Sequence, residues 1–145
     1  MANGIVNSEA FPDAPSFKFP GLEAVMTRYQ AQAAGLGIDP LGYGYVPLSY
    51  AGGEVLAQAV TATQSLDHAK IAAYIRTHSF HTVGGDITFG KDGEWVKSRM
   101  VFTQFLHVDG NDVGQFRDPK KVLVVWPPEF KTGDMVYPYA AARKQ

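Results

Sequence analysis

Apolar residues in the first half of the chain recur at helical spacing. Leu22, Val25, Met26, Tyr29 and Ala33 fall at i, i+3, i+4, i+7 and beyond, which draws one apolar stripe. Pro20 suits a helical first turn, where its missing N–H costs nothing, and Gly35, Gly37 and Asp39-Pro40 supply stop signals. A Gly/Tyr-rich loop over 41–46 leads into a second helix expected from Pro47 to about Thr63. Its buried face is expected to carry Leu48, Ala51, Val55, Leu56, Ala59 and Val60. Gly52 and Gly53 interrupt it and each costs roughly 1 kcal/mol against alanine. A third helix is expected after Ser65 as N-cap, with Asp67 favouring the helix dipole and Ile71, Tyr74 and Ile75 turned inward. Ahead of all three, residues 3–20 are expected to be extended and irregular, because Pro12, Pro15 and Pro20 prevent a helix.

The period changes near residue 82. Asp86–Gly90 is short and β-like, and Asp92-Gly93 marks a turn. Met100, Phe102, Gln104, Leu106 and Val108 then alternate with Val101, Thr103, Phe105 and His107. Apolar groups on both faces predict a strand covered on both sides or lying in an interface. Val122–Trp126 is the last strand, ended by Pro127-Pro128. Three helices followed by a few strands make this segment α+β. The chain reads as a single segment: a helical part over about 20–78, a crossing and strand part over about 82–130, and a tail over 131–145.

Composition narrows the chemistry. With 46% hydrophobic and 19% charged residues the 145-residue chain has the material for one modest core. A net charge of −1, with cations spread along the chain, argues against a nucleic-acid surface. No apolar run approaches the roughly 20 residues a membrane span needs. The chain has no cysteine, which excludes disulfides and thiolate chemistry. Met1 to Asn7 lacks the basic region and apolar stretch of a secretory signal, so the expectation for the chain as written is cytoplasmic.

Candidate chemical groups are sparse. His78 and His81 have H-x-x-H spacing with Asp86 following, but a metal site needs more ligands on a rigid frame, and solvated or capping histidines are the expectation. Asp86 is expected to bond backbone groups in a glycine loop. Glu94 and Glu129 are expected as solvated carboxylates, and Lys91, Lys97 and Arg99 as a solvated cationic face offset by Asp92 and Glu94. There is no G-x-S-x-G elbow and no phosphate-binding glycine loop, so no catalytic residue, metal or cofactor is assigned. Trp95 and Trp126 are large apolar groups beside turns, suited to packing a seam or driving association.

Three segments occur in an order that resembles a known family. They are Tyr45 to Ala51 running on through Val55 and Leu56, Val83 to Gly93, and the strand holding Phe102 to Phe105. Together they resemble the C-terminal section of type I periplasmic binding proteins of the branched-chain amino acid class, an α/β family. The resemblance covers nearly all of this chain and a terminal portion of the family's. It implies a non-catalytic solute-binding component of an ABC importer, with an amino acid or related small molecule as solute, an ABC permease as partner and the periplasm as location. It also implies that the three helices belong to one lobe and the strands near 100–108 and 122–126 to the other, with Gly84, Gly85 and Asp86 at a crossing between them. Tyr45, with Tyr43 and Tyr50 nearby, matches a ligand-facing position before a helix. The family's groups for the amino acid's carboxylate and ammonium lie mostly upstream of this segment. The alternative is a free-standing interaction module that pairs its exposed lobe faces in a homo-oligomer.

Overall fold

A computed structural model describes residues 2–10, 14–97 and 99–145; Pro12, one of the three helix-breaking prolines, lies outside them. Four strong elements follow the sequence periods. Helix α1 spans Leu22–Leu36, α2 Val46–Thr63 and α3 His68–Ile75, and the strand expected last spans Val122–Trp126.

The helix ends refine the reading. Gly37 takes a left-handed conformation and donates to the carbonyls of Ala33 and Ala34, so it closes α1 while Gly35 stays inside it. Pro20 sits in the turn before α1, whose N-cap is Gly21. The N-cap of α3 is Asp67, not Ser65: its carboxylate accepts from the Lys70 N–H at 2.9 Å. Ser65 Oγ instead accepts from Asp67 N–H, fixing the approach to the cap.

The strands form two antiparallel groups. A hairpin pairs β2 (Ser79–Thr82) with β3 (Gly85–Thr88). A three-stranded sheet has the order β1-β4-β5, with β1 at Val6–Glu9, β4 at Val101–Phe105 and β5 at Val122–Trp126. Strand β1 was not expected from the N-terminal segment; its four residues alternate exposed and half-buried, too short a run to register as a period. Strand β4 is central, and a register shift between Phe102 and Thr103 breaks its alternation. The bulge lets Thr103 and Gln104 both be buried while Phe102 stays 47% exposed.

The tail 131–145 folds back on the sheet. Thr132 N–H donates to the Val124 carbonyl and its hydroxyl accepts from Val124 N–H, so it covers part of the β5 edge. Buried Gln104 holds Val136 from both sides, donating to its carbonyl at 3.0 Å and accepting from its N–H at 2.8 Å. A short helix α4 (Tyr139–Ala142) then buries Ala142 beside the chain start, where Asn3 donates to the carbonyls of Val108 and Gln145.

One continuous apolar core joins these parts. Leu22 and Met26 of α1, Ala51, Val55 and Ala59 of α2, Ile71, Phe80 and Ile87 meet Val101 and Val124 of the sheet through Ala10, Ala14 and Phe17. The α2 face is narrower than its apolar residues predict. Leu48 is 37% and Leu56 52% exposed, because a single helix buries one stripe and α2 is apolar on two sides. No helix among the described residues is long and apolar enough to cross a membrane.

Candidate functional site

The residues before α2 are built by α1 and one acidic side chain. Asp39 accepts from the N–H groups of Leu41 and Gly42, Tyr29 donates its hydroxyl to the Asp39 carbonyl at 2.7 Å, and Gln30 donates to the Leu41 carbonyl. Gly42 has φ 72° and faces the Tyr29 ring, so no larger residue fits there without displacing that ring. This fixed loop and the first turns of α2 place the three tyrosines differently. Tyr43 turns inward and packs on the core. Tyr45 caps α2 and is 83% exposed. Tyr50, half exposed, lines an open groove of about 370 Å³ between α1 and α2 with Val25, Arg28, Tyr29, Gln32 and Val46. The three are therefore neighbours in sequence without forming one wall. The groove offers an apolar floor, one guanidinium, a carboxamide and phenolic oxygens, a set that suits a small amphipathic molecule.

Gly84, Gly85 and Asp86 sit in the β2–β3 hairpin. Its turn is closed by Thr82, whose hydroxyl donates to the Gly85 carbonyl at 2.8 Å and accepts from Gly84 N–H. Gly85 has φ 87°, and a β-carbon there would press on Arg99 and the Phe19 ring. Asp86 bonds His81 across the hairpin (Nδ1 to Oδ1, 2.6 Å) instead of a backbone group, with both side chains largely exposed. His78 points elsewhere: it stacks on Tyr74 with ring centroids 3.7 Å apart, and its Nδ1 lies 2.9 Å from the Tyr74 carbonyl. The H-x-x-H pair thus belongs to two separate interactions.

The hairpin turn abuts the junction of helical part and sheet, and the group that organises this junction is Arg99. Its guanidinium carbon lies 5.2 Å from the Phe19 ring centroid and 5.6 Å from those of Trp95 and Phe130, and its Nε donates to the Gly84 carbonyl at 3.3 Å. Arg99 is therefore not part of a solvated cationic face; Lys91 and Lys97 are exposed and stand apart from it in character. Sequence reading missed this cluster because Phe19 and Phe130 lie far along the chain from Trp95 and Arg99. Trp95 is the seam tryptophan, its indole N–H buried without a partner among the described residues, whereas Trp126 is 54% exposed and packs edge-on against Phe102.

No family model matches the chain, and no curated protein matches it. Among solved structures it is similar to the leucine binding protein LivK of Thermotoga maritima, with a TM-score of 0.53 and 24% sequence identity over 71% of this chain. The chain spans 28% of the length of that protein. A likeness at this identity speaks to architecture: the α+β arrangement described above is that of part of a periplasmic binding protein fold.

Proposed function

We propose that this chain serves in solute binding, as the counterpart of one portion of a two-lobed receptor for an amino acid or related small molecule. The reading is carried by the fold likeness to a leucine binding protein. Support from the site is the groove that places Tyr50 and Arg28 on facing helices, with Tyr45 exposed at the start of α2. Binding would rest on shape and hydrogen bonding without a catalytic step, and closure on differential affinity for a closed state. Delivery to an ABC permease and a periplasmic location belong to the same proposal.

Titration calorimetry of the purified chain against a panel of apolar, aromatic and amidated amino acids tests it. One-to-one binding by at least one solute, weakened at least tenfold by Tyr50→Ala, is the expected result. Absence of heat and of any thermal shift at millimolar solute would sink the reading for this chain. A second reading, an interaction module stabilised by self-association, is favoured by the row of exposed large apolar side chains on α2.

A further inference from the structure

The geometry points to an anion-selective site in the α1–α2 groove. Its ligand is an apolar or aromatic monocarboxylate that carries no ammonium beside the carboxylate, seated with that carboxylate on Arg28. The inference rests on the solute-binding reading and narrows it to one chemical class.

Helical spacing builds the groove. Val25, Arg28, Tyr29 and Gln32 fall at i, i+3, i+4 and i+7 on α1, and Val46 and Tyr50 at i and i+4 on α2. Each helix therefore presents one row of side chains to it. Burial sorts the two rows by depth. Val25, Val46 and Tyr29 are half-buried, whereas Arg28, Gln32 and Tyr50 are exposed. An apolar body thus sits low, against the valines and Tyr29, and a polar head sits at the rim. The volume of about 370 Å³ falls within the roughly 300–1,000 Å³ of small-molecule sites.

The rim carries charge of one sign. Arg28 brings the groove its formal charge, and among the described residues no ion pair or hydrogen bond holds its guanidinium. The Gln32 carboxamide and the Tyr50 hydroxyl are likewise uncommitted among those residues, while the Tyr29 hydroxyl already donates to the Asp39 carbonyl. No carboxylate lines the groove among the described residues. Carboxylates on the adjoining elements are engaged elsewhere: Asp39 accepts from Leu41 and Gly42 N–H, and Glu54 from Val83 N–H. Glu23 borders a separate hollow that Arg28 also reaches, without pairing with it.

This arrangement discriminates by charge. A planar guanidinium with free N–H groups pairs a carboxylate in a two-pronged way. The same guanidinium repels an ammonium held one carbon from that carboxylate, and no anion in the groove offsets the repulsion. An amino acid gains at one group and loses at the other. The corresponding acid without the amino group only gains.

Titration of the full chain with 3-phenylpropanoate, with its amide and with phenylalanine tests the assignment. The acid is expected to bind roughly tenfold or more tightly than either. Arg28→Gln removes the charge at an exposed helical position, and the acid is expected to fall to the level of the amide. Tyr50→Ala is expected to weaken acid and amide by the same factor. A second measurement needs no variant: raising salt from about 0.02 to 0.5 M is expected to weaken the acid about threefold or more and leave the amide unchanged. Phenylalanine or the amide binding as tightly as the acid, an advantage of the acid that survives Arg28→Gln, or acid binding indifferent to salt overturns the inference and leaves solute binding standing. So does binding of some other amino acid when none of these three binds. Absence of binding by every solute removes the inference and the broader reading together.

Discussion

Replacing Arg99 by alanine probes the junction directly. Its guanidinium lies within 6 Å of three ring centroids, at 5.2, 5.6 and 5.6 Å. Each cation–π contact at a partly exposed site is worth about 0.5–1 kcal/mol, and one cation shared by three rings does not gain the full sum. The bond to the Gly84 carbonyl, long at 3.3 Å, adds about 0.5–1 kcal/mol. Allowing for rehydration of the cavity left behind, the expected loss for Arg99→Ala is about 2–3 kcal/mol. Arg99→Lys keeps the charge but loses the planar group that lies over the rings, and about half of that loss is expected. Urea unfolding reads the effect: with a slope of about 1–3 kcal/mol per molar, the midpoint falls by roughly 1–2 M for alanine. A cycle with Phe130→Leu, whose ring also packs on Phe17 at 4.6 Å, separates pairwise coupling from lost volume. A loss under 0.5 kcal/mol for Arg99→Ala, or zero coupling in the cycle, refutes the claim that this cation organises the junction.

Three further outcomes are expected. Gly53→Ala lies in α2 with right-handed geometry and open space around its β-carbon, so it should stabilise the fold by about 0.5–1 kcal/mol; a lower melting temperature would contradict that geometry. Asn3→Ala removes a buried side chain that donates to the Val108 and Gln145 carbonyls and accepts from Val108 N–H at 2.6 Å, and should cost about 2–3 kcal/mol in chemical denaturation. Glu9 has its carboxyl raised above the ordinary range by burial, partly offset by the hydrogen bond from Asn7. The folded state therefore holds its proton more tightly than the unfolded chain, and Glu9 ionisation destabilises the fold as pH rises from the unfolded value through the folded one. Glu9→Gln should accordingly raise the melting temperature at pH 7 and make no difference well below pH 4, and an identical effect at both pH values would exclude this origin.

The sequence by itself determined the helices, the last strand and the α+β order, because each rests on a local signal. The stripe of Leu22, Met26 and Ala33, the left-handed cap at Gly37 and the break at Pro127 act within a few residues of themselves. The tyrosines around the start of α2 and the hairpin glycines were equally visible as a pattern. Only the tertiary structure decided where they point: Tyr43 into the core, Tyr45 to solvent, Tyr50 into the α1–α2 groove. It also decided the pairing of Val6–Glu9 with β4, since a four-residue strand is stabilised by a partner about a hundred positions away and carries too little period of its own. Arg99 shows the same limit. Its charge suggests a solvated surface, but beside its near neighbour Trp95 the distant Phe19 and Phe130 also reach it, and a cation's environment is set by what the fold brings around it. Local spacing fixes which face of an element is apolar; only packing fixes which apolar faces find cover, and on α2 one of the two did not.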